Sequence, residues 1–135
     1  MATANAMQAA IEKILEAHNL LADYQASPEF YVKFTQPNFD PLVIERQDDR
    51  VIVGHYFLQN GDVMSDPEIV FDFATWDALE LTQHPVGMYR SKFHFRDGVK
   101  YVDTRFDAAV RPLVRLWANN LAQQGWTTAA IVRDE

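Results

Sequence analysis

Apolar residues recur at helical spacing near the start of the chain, where Met7, Ile11, Ile14, Leu15, His18 and Leu21 share one side while Glu12, Lys13 and Glu16 lie elsewhere around the cylinder. This predicts an amphipathic helix from Ala6 to about Ala22. After Ser27-Pro28 the period changes to two: Phe30, Val32 and Phe34 alternate with Tyr31, Lys33 and Thr35, as in a half-buried strand. Leu42 to Gln47 and Arg50 to Gln59 read as strands joined at Asp48-Asp49, and Asn60-Gly61 is the signature of a tight type I′ hairpin turn. Ile69, Phe71 and Phe73 then alternate with Val70 and Asp72. A loop containing Trp76 and His84-Pro85 leads to Met88 to Phe95 and Val99 to Val102, two strands flanking a turn at Arg96-Asp97-Gly98. A second helix, capped by Asp103 or Thr104, carries Phe106, Val110, Leu113, Val114, Trp117 and Leu121 along one face and stops at Gly125. Pro112 interrupts that pattern, so the helix either kinks or restarts there. Thr127 to Glu135 is a strand or a tail.

The order helix, strands, helix defines an α+β domain: an antiparallel sheet of about five or six strands with the N-terminal and C-terminal helices packed on one face. The other face is then free for work. No repeat or linker divides residues 1–135, which suit a single core.

Composition narrows the chemistry. Hydrophobic residues are 48% and charged residues 23% of the chain, which excludes disorder. No run reaches the roughly 18 apolar residues of a membrane span, and the start MATANAMQAAIEK has no secretory pattern, so a cytoplasmic protein without membrane attachment is expected. Without cysteine there is neither a thiolate nucleophile nor a zinc knuckle, and a metal would need His, Asp or Glu. The net charge of −7 disfavours nucleic acid as a partner. No nucleophile elbow, glycine-rich phosphate loop or His-Glu-x-x-His helix is present, no cofactor is predicted, and no catalytic residue is assigned.

The densest polar stretch runs from Asn60 to Glu68. Counting from the Asn60-Gly61 turn sets Leu58 opposite Val63, Phe57 opposite Met64 and His55 opposite Asp66, with Gly54 facing Pro67 and a bulge there because proline cannot donate to a ladder. His55, Asp62, Asp66 and Glu68 therefore form a candidate polar site for a divalent cation or an acid-base pair. The structural reading of the same residues makes Asp62 and Asp66 turn formers and pairs His55 with Asp66 across the strands, and such pairs outnumber catalytic ones.

Basic residues gather at Arg90, Lys92, His94, Arg96 and Lys100. With Tyr31, the residues Arg90, Lys92 and His94 make a candidate binding face of the stacking and phosphate-contacting kind used for single strands. A solvated sheet face answering Glu45, Glu68 and Asp72 across strands is the plainer account. His18, on the apolar side of the first helix, reads as a satisfied half-buried residue, and His84 as a loop residue.

Two segments resemble a known family: His55-Tyr56-Phe57-Leu58-Gln59-Asn60-Gly61-Asp62-Val63-Met64-Ser65-Asp66-Pro67-Glu68, and Trp117-Ala118-Asn119-Asn120-Leu121-Ala122-Gln123-Gln124-Gly125. They are similar to the Asn-Gly-Asp-x-Met-x-Asp-Pro-Glu strand turn and the Trp-x-x-Asn-Leu-x-x-Gln-Gly helix end of small uncharacterised proteins of phages, plasmids and integrative elements. The first motif matches closely and the second departs at Asn119-Asn120-Leu121. The resemblance spans about the C-terminal two thirds of the chain. It implies an accessory protein of a mobile element and no particular activity. The expectation is a non-enzymatic module that binds a protein through the free sheet face and the Asn60 to Glu68 loop. A metal-dependent nucleic-acid-processing or hydrolytic enzyme and a single-strand binder stand as alternatives, and an exposed edge strand leaves room for a homodimer.

Overall fold

Asn5 starts the first helix, α1 (Ala6–Ala17), by accepting a hydrogen bond from the Gln8 N–H at 3.1 Å, which satisfies one of the unpaired donors of the first turn. The helix ends earlier than its apolar pattern suggests, because Asn19 takes a left-handed backbone (φ 61°) and redirects the chain into a short α2 (Leu21–Ala26). The computed structural model describes residues 5–83 and 87–133; the His84-Pro85 loop lies outside them.

Strands β1 (Glu29–Thr35), β2 (Leu42–Gln47), β3 (Arg50–Gln59), β4 (Asp62–Asp72), β5 (Ala78–Gln83) and β6 (Met88–Ser91) form an antiparallel meander, and β9 (Ala130–Ile131) joins the outer edge of β1. The sheet order is β6-β5-β4-β3-β2-β1-β9. Seven strands replace the expected five or six because Ala78 to Gln83, read within a loop, pairs with β4, and two residues of the tail also pair. The expected single strand Met88 to Phe95 is broken at Lys92. Ser91 Oγ donates to the Phe93 carbonyl at 2.7 Å and turns the chain, so β7 (Phe93–Arg96) and β8 (Val99–Val102) form a separate hairpin.

Cross-strand register aligns the core. Val32, Ile44, Val53, Ile69 and Leu81 lie side by side across five strands, and all are buried beneath the helices. Helix α3 (Phe106–Gln123) adds Phe106, Val110, Trp117 and Leu121 to the same cluster as Met7, Ile11, Ile14 and Leu15 of α1. Its N-terminus is entered through Asp103, whose carboxylate accepts the Arg105 N–H at 2.9 Å, and it runs continuously through Pro112. Gly125 (φ 84°) ends it in the left-handed conformation that glycine adopts without cost. Both long helices therefore pack on one face of the sheet, and no helix of the described residues is long and apolar enough to cross a membrane.

Candidate functional site

Alternation along the strands sends the remaining side chains to the uncovered face. Two rows cross it: Tyr31, Glu45, Ile52, Val70, Glu80 and Ser91, and beside them Lys33, Val43, Gly54, Glu68, Thr82 and Tyr89. Tyrosines and glutamates meet here. Tyr89 donates its hydroxyl to Glu80 at 2.5 Å, and Arg50 lies 3.8 Å from the same carboxylate. The Tyr56 hydroxyl bonds to Glu68, and burial together with that carboxylate pushes its pKa well up. The ring of Tyr56 lies flat against Gly54: a Cβ there would stand 3.0 Å from three of its atoms, so the missing side chain is what lets the ring lie down.

The β3-β4 hairpin outruns its neighbours. Pairing with β2 ends at His55 and pairing with β5 at Glu68, so Tyr56–Gln59 and Asp62–Ser65 project as a two-stranded ribbon. Leu58 and Val63 sit opposite each other on it, on the same side as Tyr56, and are 74% and 68% exposed. The turn registers Leu58 with Val63 and Phe57 with Met64 as counted from Asn60-Gly61, and both Asn60 (φ 52°) and Gly61 (φ 85°) have the positive φ that a type I′ turn requires. The bulge falls on β4: Asp66 and Pro67, joined by a cis bond, together oppose His55, and Gly54 pairs with Glu68 rather than with Pro67.

That bulge distributes the four candidate polar residues. His55 pairs with core residue Leu42 and faces the helices, its ring 5.6 Å from those of Trp117 and Trp126. Its Nδ1 donates to the Asp40 carbonyl at 3.1 Å, and burial lowers its pKa against the opposing pull of that carbonyl. Glu68 lies on the opposite face with Tyr56, and Asp62 is exposed at the ribbon's end opposite Gln59. Asp66 remains close enough to His55 to act on its charge. Among the described residues, no three His, Asp or Glu side chains converge in a way that could hold a metal ion.

The second candidate set is likewise spread out. Tyr31 is on β1 and Arg90 on β6, five strand spacings or about 24 Å apart. Arg90 pairs with core residue Leu81, which puts it on the helix side, and its guanidinium reaches Asp103 at 3.4 Å. Lys92 reaches Asp107 of α3 at 3.6 Å, and His94 stacks on Tyr101 of the β7-β8 hairpin. His18 is satisfied as expected, a ring nitrogen donating to the Trp126 carbonyl at 2.9 Å.

Neither Tyr56 nor Glu80 was singled out by sequence as a site residue, although Tyr31, at the end of Glu80's row, and Glu68, the partner of Tyr56, were. Their signal was present in the strict alternation Ile52, Gly54, Tyr56, Leu58, but the neighbours across the sheet depend on where the bulge falls.

Residues 9–127 match a family described as a domain of unknown function, DUF6908, and the chain belongs to that family. No curated protein and no solved structure matches the chain.

Proposed function

We propose that this member of the family is a non-enzymatic accessory module that works by binding a protein, with the uncovered sheet face and the β3-β4 ribbon as its contact surface. The observation that carries the reading is one continuous surface: Tyr31 (58% exposed) and Tyr89 (61% exposed) flank the Tyr56-Glu68 pair, and the ribbon extends it with the exposed Leu58-Val63 pair. Tyrosine is enriched at protein interfaces because it offers a large rigid apolar body and a polar end at little entropic cost. An exposed apolar cross-strand pair at the end of a projecting hairpin adds the desolvatable contact from which binding energy comes. The resemblance of the ribbon's Asn60 to Glu68 segment to proteins of mobile elements supports a role beside such an element, in the cytoplasm, towards an element-encoded or host protein.

The test places a photo-crosslinking amino acid at position 58, at position 89 and, as a control on the helix side, at position 16 of the protein expressed in its native host. Discrete adducts of one mass from positions 58 and 89, absent at 16, are expected. Absence of any adduct at 58 and 89, or equal labelling at 16, overturns the reading.

A further inference from the structure

Helix α3 carries a second stripe, on the side away from the core. Ala108, Arg111, Pro112, Arg115, Leu116, Asn119 and Ala122 follow one another at three- and four-residue steps, while Phe106, Val110, Trp117 and Leu121 point into the core. Helix α1 runs alongside in the same direction: Asn5 shares a small cavity with Asp107 and Arg111, and His18 at the other end bonds to Trp126 beyond the end of α3. Between them lies an open groove of about 980 Å³ with Ala6, Ala9 and Ala10 on one side and Ala108, Ala118 and Ala122 on the other. Alanines keep the groove open, and Leu116, 59% exposed, stands in its wall.

Charge distinguishes this groove from the rest of the molecule. Its lining contains Lys13, Arg111 and Arg115 and no carboxylate, in a chain of net charge −7. Among the described residues, Arg50, Arg90 and Lys92 form ion pairs, whereas Lys13, Arg111 and Arg115 form none. We propose that the α1-α3 groove is a docking site for an acidic amphipathic helix of a partner protein. From Ala108 to Ala122 the stripe extends about 21 Å, the length of four helical turns, so an occupant of some 14 residues lays apolar positions at i, i+3, i+4 and i+7 over the alanines and sets its carboxylates against the cationic rim. A small ligand is a poorer fit, since no polar groups converge on the floor. A two-fold copy of the chain is also a poorer fit, because it would bring this rim against itself. The groove lies on the helix side of the molecule, opposite the tyrosine surface, and stands independently of it.

The experiment titrates the full chain against two capped 14-residue helical peptides with the same leucine stripe, one flanked by glutamates and one by lysines, using fluorescence anisotropy. Saturable binding of the glutamate peptide is expected, with the lysine peptide at least about tenfold weaker. R111E/R115E, at exposed positions, reverses the preference, and Ala122→Trp, which fills the groove, abolishes binding; circular dichroism confirms that both variants are folded. No saturable binding, equal binding of the two peptides, or binding indifferent to these variants overturns the proposal. A dimer in light scattering that R111E/R115E dissociates would assign the groove to a second copy and overturn it too.

Discussion

At the scale of single residues, the contact most open to test is the Tyr56 ring on Gly54. Gly54→Ala forces a methyl group to within 3.0 Å of the ring, and the expected loss of stability in urea denaturation is about 1–2 kcal/mol. In a Tyr56→Ala background the same change should cost almost nothing, because the ring it collides with is gone; an equal loss in both backgrounds would place the strain elsewhere. His55 predicts a pH effect. Burial lowers its native pKa, so near pH 6 the unfolded chain binds more protons than the folded one. Its contribution is therefore intact above the unfolded imidazole value of about 6.5 and is lost as pH falls through that value towards the lower native one. His55→Gln should flatten the fall in stability between about pH 7 and 5, measured as the urea midpoint against pH. An unchanged slope would mean that burial of this imidazole does not govern it. That His55 would be partnered was legible in the sequence, but its partner was not: a carbonyl at Asp40 and two indoles from the end of the chain belong to segments that only packing brings together.

Among the elements, α3 shows how tertiary packing overrides local preference. Pro112 lacks the N–H that would bond the Ala108 carbonyl, yet the helix continues through it because Val110, Trp117 and Leu121 on either side are buried in one core. Pro112→Ala restores a donor at an exposed position and should raise stability by about 1–3 kcal/mol, read as a higher melting temperature; a lower one would mean that the proline ring itself contributes packing. The pattern left two outcomes open at this residue, and the core contacts select between them. The strand from Met88 to Phe95 is the converse case. Its alternation is unbroken in sequence, but the Ser91 hydroxyl offers the backbone a local alternative, and Lys92 leaves the strand to meet Asp107 on α3.

For the whole molecule, the proposed contact surface lies on the sheet face away from the helices, so it can be altered without touching the core. Leu58→Asp with Val63→Lys alters only exposed side chains at the end of the ribbon, so stability should change by less than about 0.5 kcal/mol while the crosslinked adduct from position 89 disappears. If the adduct persists, the ribbon is not part of the contact; if the fold is lost, these side chains pack more closely than their exposure indicates.

The sequence by itself determined the α+β class, the start of the first helix at Ala6, the stop of the last at Gly125, the hairpin at Asn60-Gly61 and which side of each well-patterned strand enters the core. These depend on dihedral preferences and on periods of two and 3.6 residues, which are local properties. Only the tertiary structure decided the distribution of polar residues over the two faces. The bulge at Asp66-Pro67 opposes two residues to His55, so His55 faces the helices while Glu68 pairs with Gly54 on the other side of the sheet. The α1-α3 groove is likewise invisible in either helix alone, since alanines about a hundred residues apart become one floor only when both helices settle on the same sheet face. Register across a bulge and the meeting of distant helices are fixed by the lowest-energy packing of the whole chain, and no window of sequence contains that competition.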